Sequence, residues 1–239
     1  MTISITRHHN GNARMNDRLK IRRPLVRIAL WGVAAVAVLP ALFVALFGVV
    51  PVPLTPLMVL RALDGAPVAK TWMPLANMSP RLPALVIAAE DNLFCRHDGF
   101  DLDALAQAWR ANQRSDQLRG ASTISQQTAK NVFLWPGRSY VRKALEAWLT
   151  LYIETLWSKR RIIEVYLNVA EWGDGIYGAE AAARRYFKGS AASLGPGEAA
   201  HLAAMIPNPR YYERHRSARG LQKRQGTIAA RMGQVAVPR

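Results

Sequence analysis

Residues 90–101 read EDNLFCRHDGFD, and residues 120–131 read GASTISQQTAKN. The first segment places a carboxylate, Glu90, at the end of the apolar run ALVIAAE. The second is rich in small, hydroxyl and amide side chains and closes with a cation, Lys130. Hydroxyls and amides bind sugar hydroxyls, and a cation beside a helix start favours an anion. Together the segments indicate a sugar site next to an anion site.

Helical patterns continue outward from these two segments. Apolar residues recur at helical spacing, and alternating strand patterns are nearly absent. The predicted helices are residues 84–90, 102–109, 141–157, 162–168, 179–187 and 198–206. The sequence therefore predicts a mostly α domain without visible subdivision, covering residues 71–213.

A long uncharged stretch precedes this domain. Residues 28–50 read IALWGVAAVAVLPALFVALFGVV, and a membrane-spanning helix needs about 20 apolar residues. The alternative is a cleaved signal peptide, whose apolar region is usually about 7–15 residues long. The length favours one N-terminal transmembrane helix at 28–50, followed by a proline-rich linker at 51–70.

The net charge of the chain is +16. Residues 1–27 carry seven basic residues against one acidic residue, which leaves +10 for the rest of the chain. The positive-inside rule places this basic segment in the cytoplasm and the domain on the outer side. Residues 214–239 are also basic and are predicted to form a loosely packed tail. The single cysteine, Cys95, excludes an intrachain disulfide.

A strongly basic chain implies an anionic partner. The sequence has no helix-turn-helix with a basic recognition face, no RNP-like aromatic motif and no zinc-ligand spacing. Nucleic acid is therefore not the expected partner. Anionic lipid head groups or a lipid-linked phosphate fit the charge better.

The first segment supplies the candidate acid–base group. Burial against apolar neighbours and the like charge of Asp91 would both raise the pKa of Glu90, which suits proton transfer. The alternative is a solvated acid at a helix end. His97 is open to two readings, a base or a hydrogen-bonded structural residue, and Gly99 is expected in a turn.

The second and third segments supply polar and cationic groups. Residues 120–131 form either a ligand-binding helix start or a capped surface helix. Residues 138–147, RSYVRKALEA, place three cations before Glu146. Arg142 and Glu146 are four residues apart, so they either pair on a helix surface or face a common cleft. Arginine suits phosphate because its guanidinium binds two oxygens at once.

Taken in order, five motifs resemble the peptidoglycan glycosyltransferase family. They are ED-x-x-F-x-x-H-x-G at 90–99, G-x-S-T-I-x-Q-Q at 120–127, R-K-x-x-E at 142–146, E-x-Y-L-N at 164–168 and Y-G-x-E at 177–180. The resemblance covers residues 72–212. Ser125 departs from the threonine more usual in the family but keeps a hydroxyl. No Ser-x-x-Lys or Lys-Thr-Gly motif of a transpeptidase occurs in the sequence.

The resemblance implies a lysozyme-like helical fold and a defined set of site residues. Glu90 matches the catalytic general base, and Glu146 matches the second family glutamate. The substrate- and pyrophosphate-binding residues it implies are Asp91, Phe94, His97, Gly120, Ser122, Thr123, Gln126, Gln127, Lys130, Arg138, Arg142 and Lys143. It also implies a divalent cation, Mg²⁺ or Mn²⁺, as an optional cofactor, although no dedicated metal-ligand spacing is visible.

The resemblance further implies the reaction and its setting. The expected substrates are lipid II and a growing lipid-linked glycan chain, at the outer face of the inner membrane. Other cell-wall synthesis or division proteins are expected partners. Residues 102–109 are either an apolar face that dips into the bilayer or a buried core face. Two alternatives to a synthase are a lysozyme-like lytic enzyme and a non-catalytic, membrane-anchored cell-wall binding protein.

Overall fold

The computed structural model describes residues 27, 31–32, 34–114, 120–137 and 139–238. The chain divides into two units, Met1–Phe43 and Val44–Arg239. Residues 34–43 of the first unit are helical. A search of the described residues finds no helix whose length and apolar content suffice to cross a membrane. Part of the predicted 28–50 span (residues 28–30 and 33) lies outside the described residues, as does Arg138.

The second unit is built mainly from helices, which confirms the mostly α prediction. The helices are α1 (Pro56–Leu63), α2 (Arg81–Glu90), α3 (Leu102–Asn112), α4 (Ile124–Phe133), α5 (Tyr140–Leu156), α6 (Lys159–Val169), α7 (Ala179–Phe187), α8 (Pro196–Met205), α9 (Pro209–Arg214) and α10 (Arg219–Arg231). Short 3-10 turns span Leu75–Asn77 and Met232–Gln234.

A small sheet accompanies the helices. Its strands are β1 (Ala69–Lys70), β2 (Glu171–Gly173) and β3 (Ile176–Tyr177), in the order β1-β3-β2. β3 pairs parallel with β1 and antiparallel with β2. With two or three residues each, these strands are too short to show an alternating pattern, which explains why the sequence did not predict them.

Two groups of helices surround the core. α4 packs against α5 and α6, and α2 packs against α8 and α10. The core includes the fully buried side chains of Trp172, Tyr166, Phe94 and Leu82. Side-chain caps define several helix starts: the side chains of Asp101, Thr123 and Ser158 accept backbone N–H groups at the starts of α3, α4 and α6. Such caps satisfy donors that have no partner within the helix.

The segments predicted as a linker and a loose tail are both folded. Residues 51–70 contain α1 and β1, with Val52 and Met58 fully buried. Residues 219–231 form α10, which buries Leu221 and Ile228 against the core. These two residues are seven apart and therefore lie on one helix face. The prediction of a loosely packed tail was wrong. The many basic residues around Leu221 and Ile228 make the apolar helix face hard to recognise in the sequence.

The outward face of α3 settles one of the two readings left open for it. Leu102, Leu105 and Trp109 are 71%, 57% and 69% exposed. No residue of α3 is buried. The core-face reading is therefore wrong, and α3 presents three large apolar side chains to its surroundings.

The first residues of the second unit are hydrogen-bonded to side chains at the end of α5 and in α6. We call residues 44–50 the docked segment. The Trp157 indole N–H donates to the carbonyl oxygen of Val44 at 2.6 Å, and the Arg161 guanidinium donates twice to that of Phe47, at 2.9 and 3.1 Å. A Cβ atom on Gly48 would lie 2.9 Å from the Trp157 ring, so only glycine allows this approach.

Candidate active site

Glu90 is the last residue of α2 and borders a cleft of about 1070 Å³. The helix ends here because the backbone of Asp91 is extended, with φ of −162°. The side chain of Glu90 is only 12% exposed. Burial raises the pKa of the Glu90 carboxyl above its ordinary value, against the opposing effects of the Gln127 hydrogen bond and the Arg224 charge. A carboxylate with a raised pKa at the wall of a cleft suits acid–base chemistry.

Two donors hold the two oxygens of Glu90. Gln127 Nε2 donates to Oε2 at 3.1 Å, and Arg224 Nη2 donates to Oε1 at 3.0 Å. The orientation of the Gln127 amide is itself fixed, since the hydroxyl of Tyr166 donates to Gln127 Oε1 at 3.0 Å. Burial raises the pKa of Tyr166 well above its ordinary value, so this hydroxyl keeps its proton. Glu90 is thus held at the end of a fixed chain of hydrogen bonds.

Asp91 and His97 connect the first segment to the start of α4. The Asp91 carboxylate is buried and accepts from His97 Nε2, at 2.9 and 3.1 Å, and from the backbone N–H of Ile124 at 3.0 Å. The backbone N–H of Gly99 donates to His97 Nδ1 at 3.2 Å, which assigns the ring proton to Nε2. These bonds agree with the second alternative for His97, a hydrogen-bonded structural residue. They also occupy both oxygens of Asp91.

Other residues of the two motifs also belong to the supporting scaffold. Thr123 and Gln126 form a reciprocal cap at the start of α4, and the Thr123 hydroxyl donates to the Gly99 carbonyl at 2.6 Å. Phe94 is fully buried beneath the Lys159 ammonium, 4.7 Å from the ring centroid. The cap of the capped-surface-helix alternative is therefore present, but Thr123 and Gln126 are buried and α4 is not a surface helix. The neighbours that border the cleft more openly are Gly120, Ser122, Gln127 and Lys130.

Glu146 lies at the centre of a cluster of cations. Its side chain is 3% exposed, and it pairs with Arg142 Nη1 at 3.2 Å and with the Lys143 ammonium. Lys143 also donates to the Ser122 hydroxyl at 3.1 Å. The burial of Glu146 contradicts the surface-pair reading. A carboxylate that binds two cations in this way fixes their positions beside a cavity.

Lys130 lies between two cavities. It borders the cleft of Glu90 and also an adjoining cavity of about 420 Å³, which Arg142 lines. Within the described residues, neither a hydrogen bond nor an ion pair holds its ammonium group. Burial is the main cause of the lowered pKa of Lys130, and the charge of Glu146 opposes the shift. An unpaired, partly buried cation at this position is suited to an anionic ligand.

Among the described residues, the carboxylates Asp91 and Glu146 are engaged by protein donors. A search of the described residues finds no group of three or more His, Cys, Asp or Glu residues that could hold a metal ion. Asp91 accepts from His97 and Ile124, and each oxygen of Glu146 faces a cationic side chain. The oxygens of Asp91 and Glu146 are therefore already taken by protein donors, and this donor set does not fit the divalent cation that the resemblance implies.

Two residues that hold Glu90 and Gln127 were not among the sequence candidates. Arg224 lies in the stretch predicted as a loose tail, and Tyr166 lies among apolar residues of α6 that indicated core packing. The only signal for Arg224 was its place between Leu221 and Ile228, three and four residues away. That spacing puts it on the buried face of α10.

Comparisons with known proteins identify the family. The family described as transglycosylase matches residues 58–233. A biosynthetic peptidoglycan transglycosylase of Caulobacter vibrioides is 53% identical over 178 residues, which cover 74% of this chain and 78% of the relative. Proteins of the same description from Dechloromonas aromatica and Thiobacillus denitrificans are 53% and 55% identical over 174 and 169 residues. These alignments cover 72% and 70% of this chain, and 75% and 73% of the relatives.

Proposed function

Since the chain belongs to the transglycosylase family and is a glycosyltransferase of peptidoglycan synthesis, we propose that it polymerises glycan strands from lipid II. Each cycle joins the disaccharide of lipid II to the growing lipid-linked chain through a β-1,4 bond. The observation that carries this proposal is the position of the Lys130 ammonium, which no described residue pairs, between the cleft of Glu90 and the cavity lined by Arg142.

Glu90 acts as the general base in this reaction. Its carboxylate takes the proton of the 4-hydroxyl of N-acetylglucosamine on lipid II. The oxygen attacks C1 of N-acetylmuramic acid on the growing chain, and the bond from C1 to the pyrophosphate oxygen breaks. Configuration inverts from α to β, and undecaprenyl pyrophosphate leaves. The raised pKa of Glu90 supports this role because a base works best when its pKa lies near the working pH.

The cations act on the leaving group. A pyrophosphate is weakly basic, so it departs without a strong acid but gains from positive charges that are already in place. Lys130, Arg142 and Lys143 supply these charges. Glu146 orients Arg142 and Lys143 through its two ion pairs. Arg138, in the stretch 138–147, is a fourth positively charged residue of this part of the sequence.

The proposal extends to the membrane. The lipid tails of both substrates remain in the bilayer, so the enzyme has to work at its surface. The uncharged run at 28–50 would anchor the chain in the inner membrane, with the basic N-terminus in the cytoplasm. The exposed Leu102, Leu105 and Trp109 on α3 would dip into the outer leaflet beside the cleft, which Asp103, Ala104 and Gln107 of the same helix border. Other cell-wall synthesis proteins are expected to meet the enzyme there.

A polymerisation assay tests the proposal. The full-length protein in detergent is incubated with fluorescent lipid II, with and without Mg²⁺ or Mn²⁺, and the products are separated beside a muramidase digest. We expect a ladder of long glycans that muramidase collapses. Absence of polymer together with cleavage of preformed glycan would instead indicate a lytic enzyme. Absence of both activities would favour the cell-wall binding protein.

A further inference from the structure

We infer that Arg224, on the C-terminal helix α10, is a positioning residue for Glu90 and keeps the carboxylate ionised and directed into the cleft. This inference rests on the proposed role of Glu90 as the base. It assigns a part in the reaction to a helix that lies far along the chain from the motifs of the resemblance.

The geometry of the contact is specific. Arg224 Nη2 donates to Glu90 Oε1 at 3.0 Å across a sequence separation of 134 residues. The buried residues Leu221 and Ile228 flank Arg224 on the same face of α10, which packs against α2. The core therefore fixes the position of the helix, and the helix fixes the position of the guanidinium. Both partners also line the same cleft.

The surroundings of Glu90 leave few other sources of positive charge. From α4, Gln127 contributes a neutral donor and Lys130 a cation without a direct ion pair to Glu90. From α6, the buried Tyr166 contacts Gln127. Asp91, next to Glu90, adds negative charge. Of the described residues, Arg224 alone brings a cation into contact with the Glu90 carboxylate.

A purely structural role for Arg224 has a distinct signature. Its Nη2 also lies 3.3 Å from the carbonyl oxygen of Ala89, near the end of α2, where a cation stabilises a helix. If this were its whole function, removing Arg224 would lower the melting temperature and leave the pH dependence of turnover unchanged. A positioning role predicts that the pH dependence shifts.

The first test measures kcat/KM for lipid II polymerisation against pH in the full-length protein. Arg224→Gln is expected to move the acidic limb of the profile to higher pH by about one unit, since an adjacent opposite charge lowers a carboxyl pKa by about 1–3 units. Arg224→Lys keeps the positive charge and is expected to hold the acidic limb close to its wild-type position. Lys223→Gln removes the same charge from an exposed neighbour on α10 and is expected to keep the wild-type profile. An unchanged limb in Arg224→Gln, or an equal shift in Lys223→Gln, would overturn the inference.

The second test does not need activity. A diazo reagent esterifies carboxylic acids in their protonated form, and peptide mass spectrometry quantifies the modification of Glu90 at each pH. The midpoint is expected to rise in Arg224→Gln and to stay at the wild-type value in Lys223→Gln. If the wild type makes no polymer, the proposed function fails, yet the labelling midpoint still decides whether Arg224 controls Glu90. An identical midpoint in wild type and Arg224→Gln would refute the inference by itself.

Discussion

Replacing Glu90 by glutamine removes the proton acceptor and keeps the size of the side chain. A positioned general base typically accelerates a reaction about 10²–10⁴-fold. This corresponds to about 3–5 kcal/mol of the activation barrier. We therefore expect polymerisation by Glu90→Gln to fall at least about a hundredfold. The loss should appear in turnover, while binding of lipid II stays close to wild type, because the cations of the site are untouched.

The fold should tolerate this substitution. Two donors, Gln127 Nε2 and Arg224 Nη2, face the two oxygens of Glu90, so an amide at this position satisfies only one of them. A donor left without its acceptor costs about 1–3 kcal/mol. The raised pKa of Glu90 acts in the opposite direction, in favour of the glutamine variant. The Glu90 carboxyl contributes stability below its unfolded-state pKa, and this contribution is lost as the pH rises through its folded-state pKa. Near neutral pH the neutral amide avoids that loss.

The two effects oppose each other, so we expect the melting temperatures of Glu90→Gln and wild type at pH 7 to be close. The assay is single-turnover extension of a fluorescent lipid-linked primer, combined with thermal unfolding of the same samples. Glu90→Gln with more than a tenth of the wild-type rate would refute the role of Glu90 as base. A large drop in melting temperature would show that the inactivity reflects unfolding.

Three further predictions concern the surroundings of Glu90. Arg142→Ala should reduce kcat/KM for lipid II by more than tenfold, since hydrogen bonds to charged groups contribute about 1.5–3 kcal/mol. The control Lys223→Ala should leave kcat/KM near the wild-type value. Equal effects of the two substitutions would exclude a specific pyrophosphate contact. Tyr166→Phe frees the amide of Gln127 to rotate and should lower kcat severalfold with little change in KM, and an unchanged kcat in steady-state assays would contradict this. Deleting residues 1–43 should slow polymerisation more in vesicles than in detergent, and equal rates in both would argue against an anchoring role.

The helices of the domain and the positions of its charged motifs could be predicted from the sequence. The apolar periodicity of residues 141–157 and 162–168 corresponds to α5 and α6. The placement of Glu90 after an apolar run correctly predicted a helix end. These features are local, so the pattern of neighbouring residues contains them. The helix cap at residues 123–126 is a further local feature, because a threonine followed three residues later by glutamine forms reciprocal bonds with the backbone. The roles assigned to individual site residues remain predictions.

Other features depend on contacts between distant segments. The ion pair of Arg224 with Glu90 was not predictable, since the spacing from Leu221 and Ile228 indicates at most that Arg224 faces inward and does not indicate which residue it meets. The burial of Glu146 also required the packing of α5 against α4, which spacing alone does not determine.

The docked segment and the catalytic base are attached to the same helix, α6. Trp157 and Arg161 hold residues 44–50 by hydrogen bonds within the second unit. Arg161 lies near the start of α6, and Tyr166 follows on the same helix, where it holds the amide that contacts Glu90. Residues 44–50 are therefore connected to the base by hydrogen bonds that run through a single helix, with no loop between the two contacts.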